Sequence, residues 1–524
     1  MLPVAGVLVL GLLSLPVVGL ILGRRRALLQ SARFEAMGMP VDAGATDLAE
    51  IVWETILLAG VVSAGALTLG LALAWFEHRV ASPGRKLLGI LVLLPMAVPS
   101  YLLAGAIQRA VEPSGLLGGL FGLTEPFTGF WPAATVLIVV TAPYVHLIVG
   151  AALSRLSASE EEAARSLGAG PGQRFFRLVL PRLRPSLAFA LLIVALYTIS
   201  DFGAVSVLDC RVLTWRIYQA QSGMQIVSAV DMGFGILGLV VPLILLSRLL
   251  HGRARPERGV SNPRPIPPAR PGPALLAIAL GLPIAVITVG VVVPTVELVT
   301  WLRDGLANGE ELAPLGDAVK GTLYLAGLGL AVTVSFAWLT ASVSAAFRRV
   351  APMVDGAVFL LSGLPGILVA FGLALAALWV PTSLGMEPIR EPLRAAGVLV
   401  AVGYAMRYVA EAHGVLTPTL LRVDERQAEV ARSLGAGPLR RFWRVQLPQI
   451  APGLVAASLL VFLALVKELP VTLMVAPLDT RTLAYRVWER YSEAFLADAA
   501  AAGLLLMGMA VSIQLLTLRW RHSA

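Results

Sequence analysis

The chain has 524 residues, 57% of them hydrophobic and only 14% charged, a balance that excludes an ordinary soluble globular domain. Its single cysteine, Cys210, excludes an internal disulfide framework and a cysteine-based zinc site, and its five histidines (His78, His146, His251, His413, His522) show no metal-ligand spacing. The net charge of +9 needs no nucleic-acid partner, because the positive-inside bias of membrane proteins and anionic lipid account for it.

Apolar runs of about 20 residues span the hydrocarbon core of a bilayer as helices. Twelve such spans are predicted, at 2–22, 50–76, 88–109, 131–153, 186–208, 231–250, 273–300, 321–345, 355–380, 394–416, 453–475 and 498–518. The first lacks a basic n-region and an A-x-A site, so it reads as a retained span rather than a cleaved signal. Pro95, Pro99 and Pro365 should bend the third and ninth. Between the sixth and seventh lies HGRARPERGVSNPRPIPPARPGP, a stiff, solvated linker at 251–272. It divides the chain into 1–250 and 273–524, each expected to hold six membrane helices. The predicted class is therefore an all-α polytopic membrane protein of two tandem repeats.

The halves repeat one another. EEAARSLGAGPGQRFFRLVLPRLRP, from Glu161, superposes without a gap on AEVARSLGAGPLRRFWRVQLPQIAP, from Ala428, at an offset of 267 residues. Thr55-Ile-Leu-Leu-Ala-Gly falls on Thr322-Leu-Tyr-Leu-Ala-Gly at the same offset, and Arg211-Val-Leu-Thr-Trp-Arg-Ile-Tyr matches Arg481-Thr-Leu-Ala-Tyr-Arg-Val-Trp with three more residues of shift. An even number of spans separates the copies, so the repeat is parallel. With both repeated loops in the cytoplasm, the loops on that side hold 25 of the 41 Arg and Lys residues, as the positive-inside rule requires. Arg24-Arg25-Arg26 fall outside on this count, which leaves an eleven-span chain with an external start as the alternative.

Each repeated loop, at 157–185 and 424–452, reads as a helix–turn–helix knob. Ser157-x-x-Glu160 and Asp424-x-x-Gln427 have the spacing of capping boxes. Gly168 and Gly435 supply the backbone freedom that ends the first helix. Pro171 and Pro438 suit the first turn of a second helix, which Pro181 and Pro448 should stop before the next span. A capped connector lying on the bilayer is the alternative for one such loop; two matched copies favour a shared docking role.

These loops resemble the EAA–G signature of permease subunits in binding-protein-dependent ABC importers. The matching positions are Glu162, Ala163, Ala164 and Gly168 in the first copy and Glu429, Ala431 and Gly435 in the second, which departs from the pattern at Val430. The resemblance covers nearly the whole chain. It implies the type I importer permease fold and residence in a bacterial inner membrane. It also implies that each loop is a coupling helix docking on one of two ATPase subunits, with cargo delivered by a periplasmic or lipid-anchored binding protein. In most relatives two chains supply one loop each; here one chain supplies both, and the pathway is expected between its halves. The three lysines, Lys86, Lys320 and Lys467, are not followed by Ser or Thr in a phosphate-binding loop. The chain is thus expected to be no enzyme and to bind no cofactor, ATP being held by its partners.

After each loop comes a span carrying charge, TISDFGAVSVLDCR and LVKELPVTLMVAPLDTR, in which Asp201 falls on Glu468. An ionisable group at mid-membrane costs about 2.5–3.5 kcal/mol on insertion scales and so tends to face a cavity or a partner. Asp201, Glu468 and Lys467 are the candidate pathway residues, with a structural, salt-bridged role as the alternative. Tyr144, Tyr404 and Arg407 are further polar groups within spans. Asp201-Phe202-Gly203 and Lys467-Glu468-Leu469-Pro470 also resemble fused permeases of ferric-iron importers. Carboxylates suit such a hard cation, although no oxygen-rich metal cage is legible. Permeases for thiamine, polyamines, sulfate or phosphonates are alternatives within the family, and outside it an ion-coupled transporter or a membrane scaffold.

Overall fold

The computed structural model describes residues 2–36, 48–113, 115–119, 126–251, 266–383, 397–423, 425–477 and 479–523. Among these residues there is no β-strand, only one isolated bridge between Val80 and Ala269. Among the described residues eight helices are long and apolar enough to cross a membrane, or up to ten if each of two sharply bent pairs counts as one span. Helices of 35 residues (Leu2–Ala36) and 24 residues (Val398–Leu421) stand where the first and tenth spans were predicted. The chain is thus an all-α polytopic membrane protein.

Both predicted bends are present. Arg85–Ala97 meets Ser100–Val111 at 98°, and Ala351–Ser362 meets Gly366–Trp379 at 91°. Val98 is extended, with ψ 125°, and Pro99 follows it with ψ 138°. The proline ring clashes with a helical residue before it, so the helix must end there and restart. Pro365 stands in the corresponding corner of the second pair.

The chain forms two compact units that interleave along the sequence rather than parting at the linker. One holds residues 1–46, 216–234 and 301–524; the other holds 47–215 and 235–300. In the first unit, Leu2–Ala36 packs along Gly366–Ser383. A Cβ on Gly372 would lie 2.6 Å from Pro16 Cα, so only a residue without a side chain permits this approach, as is common where helices cross in lipid. The arginines after the first apolar run are helical, not a loop. Arg24 pairs with Asp231 at 2.7 Å, and Arg26 lies 4.4 Å over the ring of Trp379. In the second unit, Pro273–Ile287 packs on Leu48–Arg79 and Arg85–Leu91. Residues 252–265 of the linker lie outside the described residues. Its end is pinned by Ala269, which donates to Arg79 O and accepts from Ala81 N–H, both at 2.9 Å.

The repeat is visible in a matched tertiary bond. Leu213 N–H donates to Thr55 Oγ1 at 3.1 Å, and Leu483 N–H donates to Thr322 Oγ1 at 2.8 Å. The threonines are 267 residues apart and the leucines 270, so the three-residue insertion is absorbed between them.

Candidate functional site

The first loop helix, Ala158–Ser166, starts at Ser157, but no side-chain bond from Ser157 caps it. The Ser157 hydroxyl lies 2.6 Å from that of Ser159 instead, so the expected capping box is not formed. The second loop helix is Glu425–Ser433; Asp424 lies outside the described residues. The ends of the two helices are alike. Gly168 and Gly435 both have φ +81°. Gly168 N–H donates to Arg165 O and Ala169 N–H to Ala164 O, each at 3.0 Å; in the second loop Gly435 donates to Arg432 O at 3.0 Å and Ala436 to Ala431 O at 2.9 Å. This is the Schellman arrangement, which satisfies the last carbonyls of a helix through a left-handed residue. No atom lies within 4 Å of where a Cβ would stand on either glycine. A side chain there has room at its Cβ but brings backbone strain of about 1–2 kcal/mol per site. On the coupling role that the resemblance implies, Gly168→Val with Gly435→Val is expected to cut transport-linked ATP hydrolysis several-fold in a complex reconstituted with an ATPase. Hydrolysis that remains fully linked in the variant would show that the turn is dispensable.

The second helix of each knob does not stop at its proline, contrary to expectation. Pro171–Ser200 runs as one helix, and so does Leu439–Val466. In each, a π-helical turn (Phe175–Val179, Phe442–Gln446) precedes the proline, and Leu180 N–H and Leu447 N–H reach back to the carbonyls of Phe175 and Phe442. The wider turn re-registers the ladder just ahead of Pro181 and Pro448, so the helix continues past each proline. The repeated loop is thus one short helix, a tight turn and the base of the following span. Phe175 packs edge-on against Trp75 at 5.3 Å, and Phe442 against Trp338 at 6.2 Å, anchoring each base in its own unit.

The first loop is braced by acidic residues beside the ones the motif singles out. Arg182 donates to Glu160 at 2.8 Å. Glu161 is held by Arg79 at 2.7 Å and Arg174 at 3.3 Å, with Arg79 buried. In the second loop Gln449 donates to Gln427 at 3.1 Å, a neutral version of the Arg182–Glu160 brace at equivalent positions. Glu161 has Ala428 as its counterpart, so that clamp belongs to the first loop. Glu162 and Glu429 are exposed, and no ion pair among the described residues takes up Glu162. Ala163 is exposed, whereas Ala164 and Ala431 are half-buried. Leu167 and Leu434, at the turns, are 88% and 81% exposed. Each loop therefore presents an exposed acidic residue and, at its turn, an exposed leucine.

The spans after the loops are broken at their charged residues. The helix Leu180–Ser200 ends before Asp201, and Gly203–Val207 begins after it. Asp201 is buried; its Oδ1 accepts from Ala204 N–H at 2.8 Å and its Oδ2 from Ser100 Oγ at 2.6 Å. Leu447–Val466 ends before Lys467, and Pro470–Val475 begins after Leu469. The buried Glu468 accepts from the amides of Val471 at 3.0 Å and Thr472 at 3.4 Å. Both carboxylates thus cap the helix that restarts after the break, which compensates for their loss of water. Ser100 ties the first cap to the bend after Pro99. In the second half of the sequence a Cβ on Gly366 would lie 3.2 Å from Glu468 Oε1 and 3.4 Å from Arg407 Cζ, so cap and bend meet there as well.

The second half adds charge at this place. Arg407 donates to Leu364 O at 3.3 Å and to the Tyr408 hydroxyl at 3.2 Å. Glu411, one turn further on, is exposed and interacts electrostatically with Lys467 and Arg407. The positions 267 residues earlier are Val140, Tyr144 and Ser200, none of them charged. Glu411 escaped the sequence reading, although its i, i+4 spacing from Arg407 inside a span was the available signal. Tyr404 is buried and bonds Thr472 at 2.6 Å; Tyr144 packs against Tyr197 at 5.8 Å. Among the described residues no group of three or more His, Cys, Asp or Glu is arranged to hold a metal ion.

The family model described as "Binding-protein-dependent transport system inner membrane component" matches residues 66–257 and 333–519, two segments whose starts lie 267 residues apart. The chain is 28% identical over 471 residues to the Fe(3+)-transport system permease protein FbpB 2 of Haemophilus influenzae, covering 88% of each. It is 35% identical over 168 residues to the sulfate transport system permease protein CysW of Escherichia coli, covering 31% of this chain and 57% of that one. To the sulfate transport system permease protein CysT of Escherichia coli it is 28% identical over 233 residues, 40% of this chain and 83% of the relative.

Proposed function

This chain belongs to the family of binding-protein-dependent transport system inner membrane components, and from that premise we propose that it forms the whole membrane pathway of an importer, with ferric iron as cargo. Two separate ATPase subunits dock on it, one at each repeated loop, and a binding protein delivers the cargo from the other face. The observation that carries this reading is the pair of loops: the same turn, the same exposed acid and the same bare leucine, each at the base of a broken span. A connector has no need of such a match.

The iron assignment is supported by similarity over most of the length to an iron permease that is matched across both halves. Buried carboxylates at both breaks are compatible with a cation. Sulfate is the second reading, favoured by the similarity to two sulfate permeases and by Arg407 and Lys467 at the second break. Reconstitution decides between them. The chain is placed in proteoliposomes with its ATPase and binding protein, and radiolabelled ferric iron and sulfate are offered in turn. Iron uptake that requires ATP is the expected result. ATP-driven sulfate uptake without iron uptake would reverse the cargo assignment. Uptake by the purified chain alone would overturn the importer reading in favour of an ion-coupled transporter.

A further inference from the structure

His146 and His413 stand 267 residues apart, at equivalent places in the two repeats. Both are buried, and both meet a carboxylate. His146 Nε2 lies 3.0 Å from Glu77 Oε2, and His413 Nε2 lies 2.9 Å from Asp355 Oδ1. The carboxylates are not equivalent residues. The counterpart of Glu77 is Ser344, and the counterpart of Asp355 is Leu88. Leu88 lines one small cavity together with Glu77 and His146, and Ser344 Oγ donates to Asp355 Oδ1 at 2.7 Å. Among the described residues each half thus brings one acid to the same histidine nitrogen, from a different helix. The second halves of the rings differ too. Thr340 Oγ1 lies 3.0 Å from His413 Nδ1, whereas its counterpart is Leu73 and His146 Nδ1 has no hydrogen-bond partner among the described atoms.

A buried histidine could be satisfied by hydroxyls or backbone. That an acid is supplied twice, by exchange of position, points to the pair itself as what the site needs. The place explains the need. Phe130–Leu153 and Val398–Leu421, which carry the histidines, lead directly into the two loop helices. The acids sit where the bent pair begins: Asp355 within Ala351–Ser362, and Glu77 at the end of Leu48–Arg79, just before Arg85–Leu91. Arg79, two residues beyond Glu77, holds Glu161 of the loop at 2.7 Å. Around the first pair His78 lies 3.9 Å from Glu77, and Arg85 donates to the Glu77 carbonyl at 3.2 Å; around the second, Thr417 lies 3.3 Å from His413 Nε2.

We propose that each histidine–carboxylate pair is a latch that fixes the helix entering a coupling loop to the base of the bent pair, so that displacement of the loop reaches the bend. The inference rests on the coupling reading above. His146, Glu77, His413 and Asp355 are positioning residues that need not touch cargo.

The exchange of positions supplies the test. In the complex reconstituted with ATPase and binding protein, uptake per ATP hydrolysed is compared for Glu77→Ser and for Glu77→Ser with Leu88→Asp, which copies the arrangement of the second half. The single variant is expected to lower uptake per ATP roughly tenfold, within the range of residues that carry coupling between sites, and the double variant to restore it to within about threefold. An unaffected single variant, or a double variant no better than the single, would overturn the latch. A merely structural pair would change the amount of assembled complex but leave uptake per ATP unaltered. Should Glu77→Ser fail to assemble, Asp355→Leu against Asp355→Leu with Ser344→Glu gives the same comparison in the other half. Charge reversal in the loops tests the premise separately: if loop variants uncouple as expected and the exchange does not rescue, only the latch is lost.

Discussion

Glu162→Arg combined with Glu429→Arg is expected to abolish both ATPase binding and uptake while leaving the chain inserted in the membrane. The loops do not depend on these two residues for their shape. The first is held by Glu160 with Arg182, by Glu161 between Arg79 and Arg174, and by the turn at Gly168; the second by Gln427 with Gln449 and the turn at Gly435. Both glutamates are exposed, and exchanges at such surface positions change stability by about 0.5 kcal/mol or less. At an interface, by contrast, placing like charges opposite one another costs several kcal/mol. At about 1.4 kcal/mol per factor of ten, a loss of roughly 3 kcal/mol at each loop weakens docking more than a hundredfold, twice over. Copurification with the ATPase reads the docking, and uptake in proteoliposomes reads the consequence. Normal uptake by the double variant would refute the coupling role of the loops.

Asp201→Asn with Glu468→Gln is expected to lower iron uptake about tenfold at unchanged insertion. Each amide keeps one oxygen for the helix that restarts after the break, so the fold survives. What is lost is the second acceptor and the negative charge. A charge-assisted bond is roughly twice as strong as a neutral one, and a buried amide N–H or hydroxyl left without an acceptor costs about 1–3 kcal/mol. The bond from Ser100 at the first break is thereby weakened, and a cation on the proposed pathway would meet less negative charge at either break. The measurement is uptake at matched amounts of assembled complex. Unaltered iron uptake would confine Asp201 and Glu468 to capping, the role their hydrogen bonds already give them.

Part of the site could be read directly because it is local. The turns at Gly168 and Gly435 follow from a glycine after a short helix, and the bends at Pro99 and Pro365 follow from ring sterics acting on the neighbouring residue. Other local rules failed where a competing local device intervened. Ser157 faces Ser159 and does not cap its helix, and a π-turn carries the chain past Pro181 and Pro448 where a stop was expected. The π-turn has no compositional mark of its own, so the sequence could not announce it. Nor could the motif reveal that Glu160 and Glu161 are spent on holding the loop, since their partners Arg182 and Arg79 lie in other elements.

The sequence by itself determined the class, the twofold repeat and the two loops, because long apolar runs, proline, glycine and a gapless internal match act through neighbours along the chain. Only the tertiary structure decided that the first helix packs with residues of the second half, that the buried acids cap broken helices, and that Glu77 and Asp355 serve equivalent histidines from unequal positions. The physical reason is that a buried charge is satisfied by whatever lies within about 3 Å in space, and position along the chain does not enter that requirement.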